Sequence, residues 1–296
     1  MTGDTLTISL VQHACGDDPG ANLERSLAGI REAAGQGASL VLLPELHRTR
    51  YFCQREDAGA FELAEAIPGP GTELLGAAAR RHGVVVVGSL FERRAAGLYH
   101  NTAVVLERDG SLAGRYRKMH IPDDPGYYEK YYFTPGDLGF HPVDTSVGRL
   151  GVLVCWDQWF PEAARLMALS GAEILLYPTA IGWAEEDDPA EQARQYDAWL
   201  TVQRAHAVAN GLPVAACNRH GFEPDPGAPG AGARFWGGSF VAGAQGEILT
   251  QAGTDRDQVL TVTLDRRRSE AVRRAWPYLR DRRVEHYGEL LRLYRD

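Results

Sequence analysis

Residues 148–165, GRLGVLVCWDQWFPEAAR, contain an apolar run from Leu150 to Val154 that follows Gly148-Arg149 and leads directly into Cys155 and Trp156. Pro161 and Glu162 then open a helix-like segment. This order reads as a buried strand, a turn and a helix. In α/β proteins ligands gather outside the carboxyl ends of strands, which is where this strand delivers a thiol. A cysteine in that place is either a small core hydrophobe or a nucleophile.

The flanking chain repeats the pattern. Residues 6–13 predict a first strand. Asn22 is expected to cap a helix whose apolar stripe runs through Leu23, Leu27, Ile30 and Ala34. Residues 40–43 are a second short strand, closed by Pro44 and followed at once by Glu45. A helix over 72–82, stopped by Gly83, precedes strands at 84–91 and 100–107, and Asp109-Gly110 marks a hairpin. Residues 115–136 are rich in Tyr, Pro and Gly without a clean period, and a loop of that length is usually functional. Further on, a strand is expected at 173–177, an acidic loop at 181–189, a long helix at 191–210 and a strand at 212–217. Residues 218–232 read as a mobile loop or lid. Residues 235–242 and 247–251 read as a hairpin around Gly246, and 258–264 as a last strand before an Arg-rich, partly helical tail from Arg266. Helices alternate with strands at first and strand-rich pieces follow, which predicts an α/β sandwich of layers in a single domain over 1–296.

Composition narrows the function. The formal charge of −8 argues against nucleic acid as the main partner, since neutralising phosphate needs a basic face. It suits a small cationic ligand, and equally suits plain solubility. Cys15, Cys53, Cys155 and Cys217 show no C-x-x-C spacing, so no zinc or redox motif is expected. Four cysteines in 296 residues fit a reducing compartment. No stretch approaches the roughly 20 apolar residues of a membrane span, and no signal peptide is evident. The chain is therefore expected to be cytoplasmic, with no membrane partner.

If Cys155 is a nucleophile, amides of the following turn, including that of Trp156, can donate to an oxyanion. A thiol still needs a base. Glu45 at a strand end is one candidate. His13, His120 and His206 are others, as in Cys–His enzymes, and spacing selects none of them. Lys118 lies in the aromatic loop, where a lone lysine is ordinarily a solvated charge.

Three segments taken together resemble the signatures of the nitrilase superfamily of carbon–nitrogen hydrolases, in order: LLPE around Glu45, YRKMHIP around Lys118 and LGVLVCWDQWFPE around Cys155. The likeness extends from Leu6 to Tyr287 and includes GGSFVAGAQGEIL at 237–249. It implies a four-layer αββα sandwich and a catalytic Glu45–Lys118–Cys155 triad. Glu129 is implied as a supporting acid and the backbone N–H of Trp156 as an oxyanion donor. It also implies no metal or organic cofactor, and protomers that associate as a dimer or higher homo-oligomer, with the tail 266–296 at the interface. Within the superfamily, CWDQWFPEAARLMALSGAEILLYPTAIGW, HIPDDPGYYEKYYFTPGD and RDRRVEHYGELL most resemble the branch that hydrolyses N-carbamoylputrescine, a small cationic carbamoyl substrate.

Such a substrate ends in an ammonium, which needs an acid when partly buried. Asp123, Asp124, Glu185 and Glu186 are the candidates, with Tyr127 and Trp156 as walls for the methylenes. A β-ureido acid would need an arginine instead, and Arg48 and Arg50 stand close behind Glu45. A non-catalytic binding subunit is a third reading, disfavoured because all three triad residues are present.

Overall fold

The computed structural model describes residues 3–184, 187–225, 227–228 and 230–295. The early β-α-β pattern builds the first sheet, with strands β1 (Thr5–Gln12), β2 (Leu40–Leu42), β3 (Val85–Ala95), β4 (Leu98–Leu106) and β5 (Leu112–Arg117). The second sheet takes β6 (Val143–Thr145), β7 (Gly148–Val152), β8 (Ile174–Thr179), β10 (Val214–Asn218), β13 (Phe240–Ala242) and β14 (Ile248–Gln251). A small third sheet is made of β9 (Gly182–Ala184), β11 (His220–Pro224) and β12 (Gly232–Trp236), and β15 (Gln258–Asp265) returns to pair with β1. The strand orders are β15-β1-β2-β3-β4-β5 and β14-β13-β10-β8-β7-β6, with parallel pairs at the centre of each and antiparallel pairs at the edges.

Alternation along the first sheet explains the layers. Ile8, Leu10, Leu40, Leu42, Val85 and Val87 point into the space between the two large sheets. Their neighbours Val11, Val41, Val84 and Val86 pack against Ile30 and Ala33 of α1 (Pro19–Gly35) and Leu75 and Ala79 of α2 (Pro70–His82). After a four-residue α3 (Glu129–Tyr132), α4 (Pro161–Leu169) and α5 (Pro189–Asn210) cover the outer face of the second sheet through Ala163, Met167, Trp199 and Ala207. The result is the expected αββα sandwich. An Arg-rich α6 (Arg266–Ala275) follows β15. No helix among the described residues is long and apolar enough to cross a membrane.

Several local expectations change. Asp18, not Asn22, caps α1, accepting from Gly20 N–H at 2.8 Å. The Asn22 amide lies inside the helix, bonded to Gly16 N–H, Gly16 O and Arg48 O. The expected lid at 218–232 contains the β11 strand, which pairs with β12 as a hairpin. The acidic loop 181–189 begins with β9, and the loop 115–136 starts as the end of β5 and holds α3. Residues 235–242 do not form one strand: Gly237 and Gly238, at φ 55° and 63°, send β12 and β13 to different sheets. Gly83, at φ 67°, ends α2 as its position predicts.

Candidate active site

Three strand ends meet between the large sheets. Glu45 follows β2, and its N–H donates to Thr179 O at the end of β8, tying one sheet to the other. Lys118 follows β5, its N–H bonded to Asn101 O and its carbonyl to Gly136 N–H. A Cβ on Gly136 would stand 2.1 Å from Arg117 O, so only glycine lets the chain pass this close to Lys118. Cys155 follows β7 at φ 41°, left-handed for a residue with a side chain, and begins a 3₁₀ turn (Cys155–Trp159) that leads to α4. The first amides of such a turn have no intrahelical partner, which leaves the Trp156 N–H available to a ligand.

The side chains form a buried chain of charge. Lys118 Nζ lies 2.8 Å from Glu45 Oε1 and 2.7 Å from Glu129 Oε2, all three residues being almost wholly buried. Asn101 Nδ2 also donates to Glu45 Oε1, at 2.7 Å, and is itself oriented by Ser89 Oγ. Glu45 Oε2 has no hydrogen-bond partner among the described residues. Tyr51 OH donates to Glu129 Oε1 at 2.6 Å. Burial by itself pulls the Lys118 ammonium down. The charges of Glu129 and Glu45 reverse this and hold it well above the ordinary lysine range. Burial raises Glu129 to about 7, opposed by Lys118 and reinforced by Glu45. Burial, then the charge of Glu45, pushes the Cys155 thiol well above its usual value, with Lys118 opposing. The resting thiol is protonated, and it needs a base to react.

Cys155 opens on a cavity of about 380 Å³. Trp156, Trp159, Tyr127 and Trp236 form aromatic walls, and Glu129, Asp124, Asp187 and Gln195 contribute polar groups. The Tyr127 hydroxyl is committed to the backbone of Gly182, which fixes its ring. Gln195 Nε2 holds one oxygen of Asp187 at 3.1 Å.

Of the residues anticipated from sequence, Glu45, Lys118, Glu129, Cys155, Trp156, Tyr127 and Asp124 converge here. Asp123 is exposed and does not line the cavity. Glu185 and Glu186 lie outside the described residues. Arg48 pairs with Glu65, Arg50 pairs with Asp17, and neither lines the cavity. The histidines are engaged elsewhere: His120 with Asp157, His13 with Ser26, His206 with Gln158 O. Among the described residues none lines the cavity. Asn101, Tyr51 and Asp187 were missed. The one available signal was Asn101, in the polar triplet His100-Asn101-Thr102 that is wholly buried at the start of a strand's apolar half.

This fold and this site place the chain in the carbon–nitrogen hydrolase family, to which it belongs over residues 7–274. It is 42% identical over 290 residues to N-carbamoylputrescine amidase of Solanum lycopersicum, covering 97% of this chain and 95% of that protein. It is 41% identical over 290 residues to citrullinase of Francisella tularensis subsp. tularensis, covering 98% and 99%. The crystal structure of a carbon-nitrogen hydrolase from Helicobacter pylori G27 superposes with a TM-score of 0.96 at 52% identity, covering 98% of this chain and 100% of that one.

Proposed function

We propose that this enzyme hydrolyses N-carbamoylputrescine to putrescine, ammonia and carbon dioxide, in polyamine synthesis from agmatine. Glu45 takes the thiol proton of Cys155 on Oε2, the oxygen left uncommitted among the described residues while Oε1 accepts from Lys118 and Asn101. The thiolate attacks the ureido carbon. Lys118 and the N–H of Trp156 stabilise the tetrahedral oxyanion, where one such donor contributes about 3–4 kcal/mol. The amine leaves with the proton, and water activated by Glu45 then cleaves the S-carbamoyl intermediate to thiol and carbamate, which breaks down to ammonia and carbon dioxide. Glu129 balances the charge of Lys118 through both steps, its Oε2 accepting from Lys118 and its Oε1 from Tyr51.

The two relatives named above differ in the tail of the substrate. Citrulline carries a carboxylate beside its ammonium, whereas N-carbamoylputrescine ends in an ammonium alone. The observation that carries the reading is the lining of the cavity: Asp187 and Asp124 offer negative charge, and no arginine or lysine lines it among the described residues. Aromatic faces suit the four methylenes. A kinetic panel of N-carbamoylputrescine, citrulline and β-ureidopropionate tests this. The first should have the highest kcat/KM, and faster turnover of either carboxylate compound overturns the substrate assignment while leaving the site chemistry standing.

Residues 1–296 are taken as one hydrolase domain whose tail, 266–296, packs on a second copy. The support is exposure of Leu290, Leu291, Leu293 and Tyr294, apolar groups that a solvated tail would not carry together. Light scattering at micromolar concentration should give a dimer or larger, and a monomer ends this part of the reading. A cytoplasmic location fits the four free cysteines.

A further inference from the structure

Arg219 follows β10 and is fully buried. Its guanidinium donates to the carbonyl oxygens of Glu45 at 2.6 Å, Leu46 at 2.9 Å and Thr49 at 3.0 Å, and to Glu223 Oε1 at 2.9 Å. Those carbonyls belong to the turn after β2. There Leu46 holds φ at 46°, a left-handed value that leucine adopts only where its surroundings enforce it. Glu223 Oε2 accepts from Tyr51 N–H at 2.6 Å, and Tyr51 OH reaches Glu129 Oε1. Because Glu129 and Glu45 share Lys118, the bonds close into a ring. It runs from the Glu45 carbonyl through Arg219, Glu223, Tyr51, Glu129 and Lys118 back to the Glu45 carboxylate. Neither Arg219 nor Glu223 lines the cavity, and both terminal nitrogens of the one and both carboxylate oxygens of the other are already bonded to protein groups, so contact with substrate does not account for them. A buried ion pair is also poor value as plain stabilisation, since a well-packed apolar pair serves as well.

We propose that Arg219 and Glu223 are positioning residues that tie the turn carrying Glu45 to Tyr51 within this ring, and so orient the Glu45 carboxylate to serve as base for Cys155. The pair also joins the sheets: β10 and β11 set the geometry of a carboxylate that leaves β2. The proposal rests on Glu45 acting as the base for Cys155, and not on the identity of the substrate.

The test measures iodoacetamide alkylation of Cys155 against pH, alongside kcat and KM for N-carbamoylputrescine. The proteins are wild type, Glu223→Gln, Tyr51→Phe and Glu45→Gln, with thermal unfolding as the check on folding. Glu223→Gln should slow alkylation at neutral pH and move its midpoint upward. It should lower kcat about tenfold or more, since small misplacement of a reacting group has effects of that size, and leave KM within about twofold. A folded Glu223→Gln with the wild-type alkylation profile and kcat overturns the proposal. Should Glu223→Gln not fold, Tyr51→Phe decides. It opens the ring by one hydroxyl: a displaced profile supports the proposal, and an unchanged one overturns it. If Glu45→Gln itself leaves alkylation unaltered, Glu45 is not the base and the proposal falls with that role. If alkylation responds in every variant while N-carbamoylputrescine is not hydrolysed, only the substrate assignment fails.

Discussion

The floor and the mouth of the cavity are built differently. On the floor Glu129 reaches the cavity wall, and Glu45 and Lys118 stand behind it; all three are almost wholly buried, and each shares two hydrogen bonds with fixed partners. At the mouth, Asp187 is half-buried and steadied by one amide from Gln195, and Asp124 is exposed. A dense, dry network orients charge at a defined point, as a reaction step requires. A sparse, wetter rim selects a tail through contacts present before and during reaction, and tolerates change more easily. The proposed chemistry therefore resides in the floor and the proposed specificity in the rim.

The contrast breaks most sharply at the thiol. Cys155→Ala should keep the fold, because one sulfur in a packed site is a small loss, and should lose hydrolysis by more than about 10³-fold. Circular dichroism and ammonia release check the two halves, and near-wild-type turnover would end the assignment of Cys155 as nucleophile.

Lys118 and Glu129 test whether the floor works as a unit. Lys118→Ala leaves two carboxylates buried together and should cost about 3–5 kcal/mol of stability, read from denaturant midpoints, with most activity lost. Glu129 gives a pH signature. Its folded value, about 7, lies above the ordinary 4.5. The native state therefore binds the proton more tightly than the unfolded chain does. This contribution to stability is fully present below pH 4.5 and is lost as pH rises from there through 7. Activity runs the other way, because both Glu129 oxygens accept hydrogen bonds from Tyr51 and Lys118 and suit the ionised form. Turnover should climb through about pH 7, and Glu129→Gln should flatten that limb of the profile.

The rim gives the smallest effects. Asp187→Asn should raise KM about tenfold with kcat nearly unchanged, since a tail contact acts equally on ground and transition states. Asp123→Asn, outside the cavity, should stay within about twofold of wild type. Equal responses at the two positions would show that Asp187 does not hold the ammonium.

Periodicity and turn chemistry made the layers legible. The apolar, valine-rich runs within 84–91 and 100–107, Gly83 after a helix and Asp109-Gly110 in a hairpin all act within a few residues, and all hold in the structure. The motifs around Glu45, Lys118 and Cys155 marked the residues that now meet on the floor. Local reading failed where long-range pairing decides. The 218–232 segment looks like a loop because of its Gly and Pro content, yet β11 and β12 pair with each other and β12 with β9. The 235–242 segment looks continuous until Gly237 and Gly238 turn it from one sheet to another.

By itself the sequence determined a layered α/β sandwich and the order of its strand ends, because these follow from short-range pattern, while the αββα order and the choice of Glu45, Lys118 and Cys155 came from the resemblance of three ordered motifs to a family. Only the tertiary structure decided that Asn101 and Lys118 occupy one oxygen of Glu45 and leave the other without a partner among the described residues. It alone decided that Arg219, 174 residues away in sequence, grips the Glu45 carbonyl. It alone placed Asp187 in the cavity and Asp123 outside it. Hydrogen-bond direction and the exposure of an acid depend on how two sheets and their loops pack against each other, and no spacing along one chain records that.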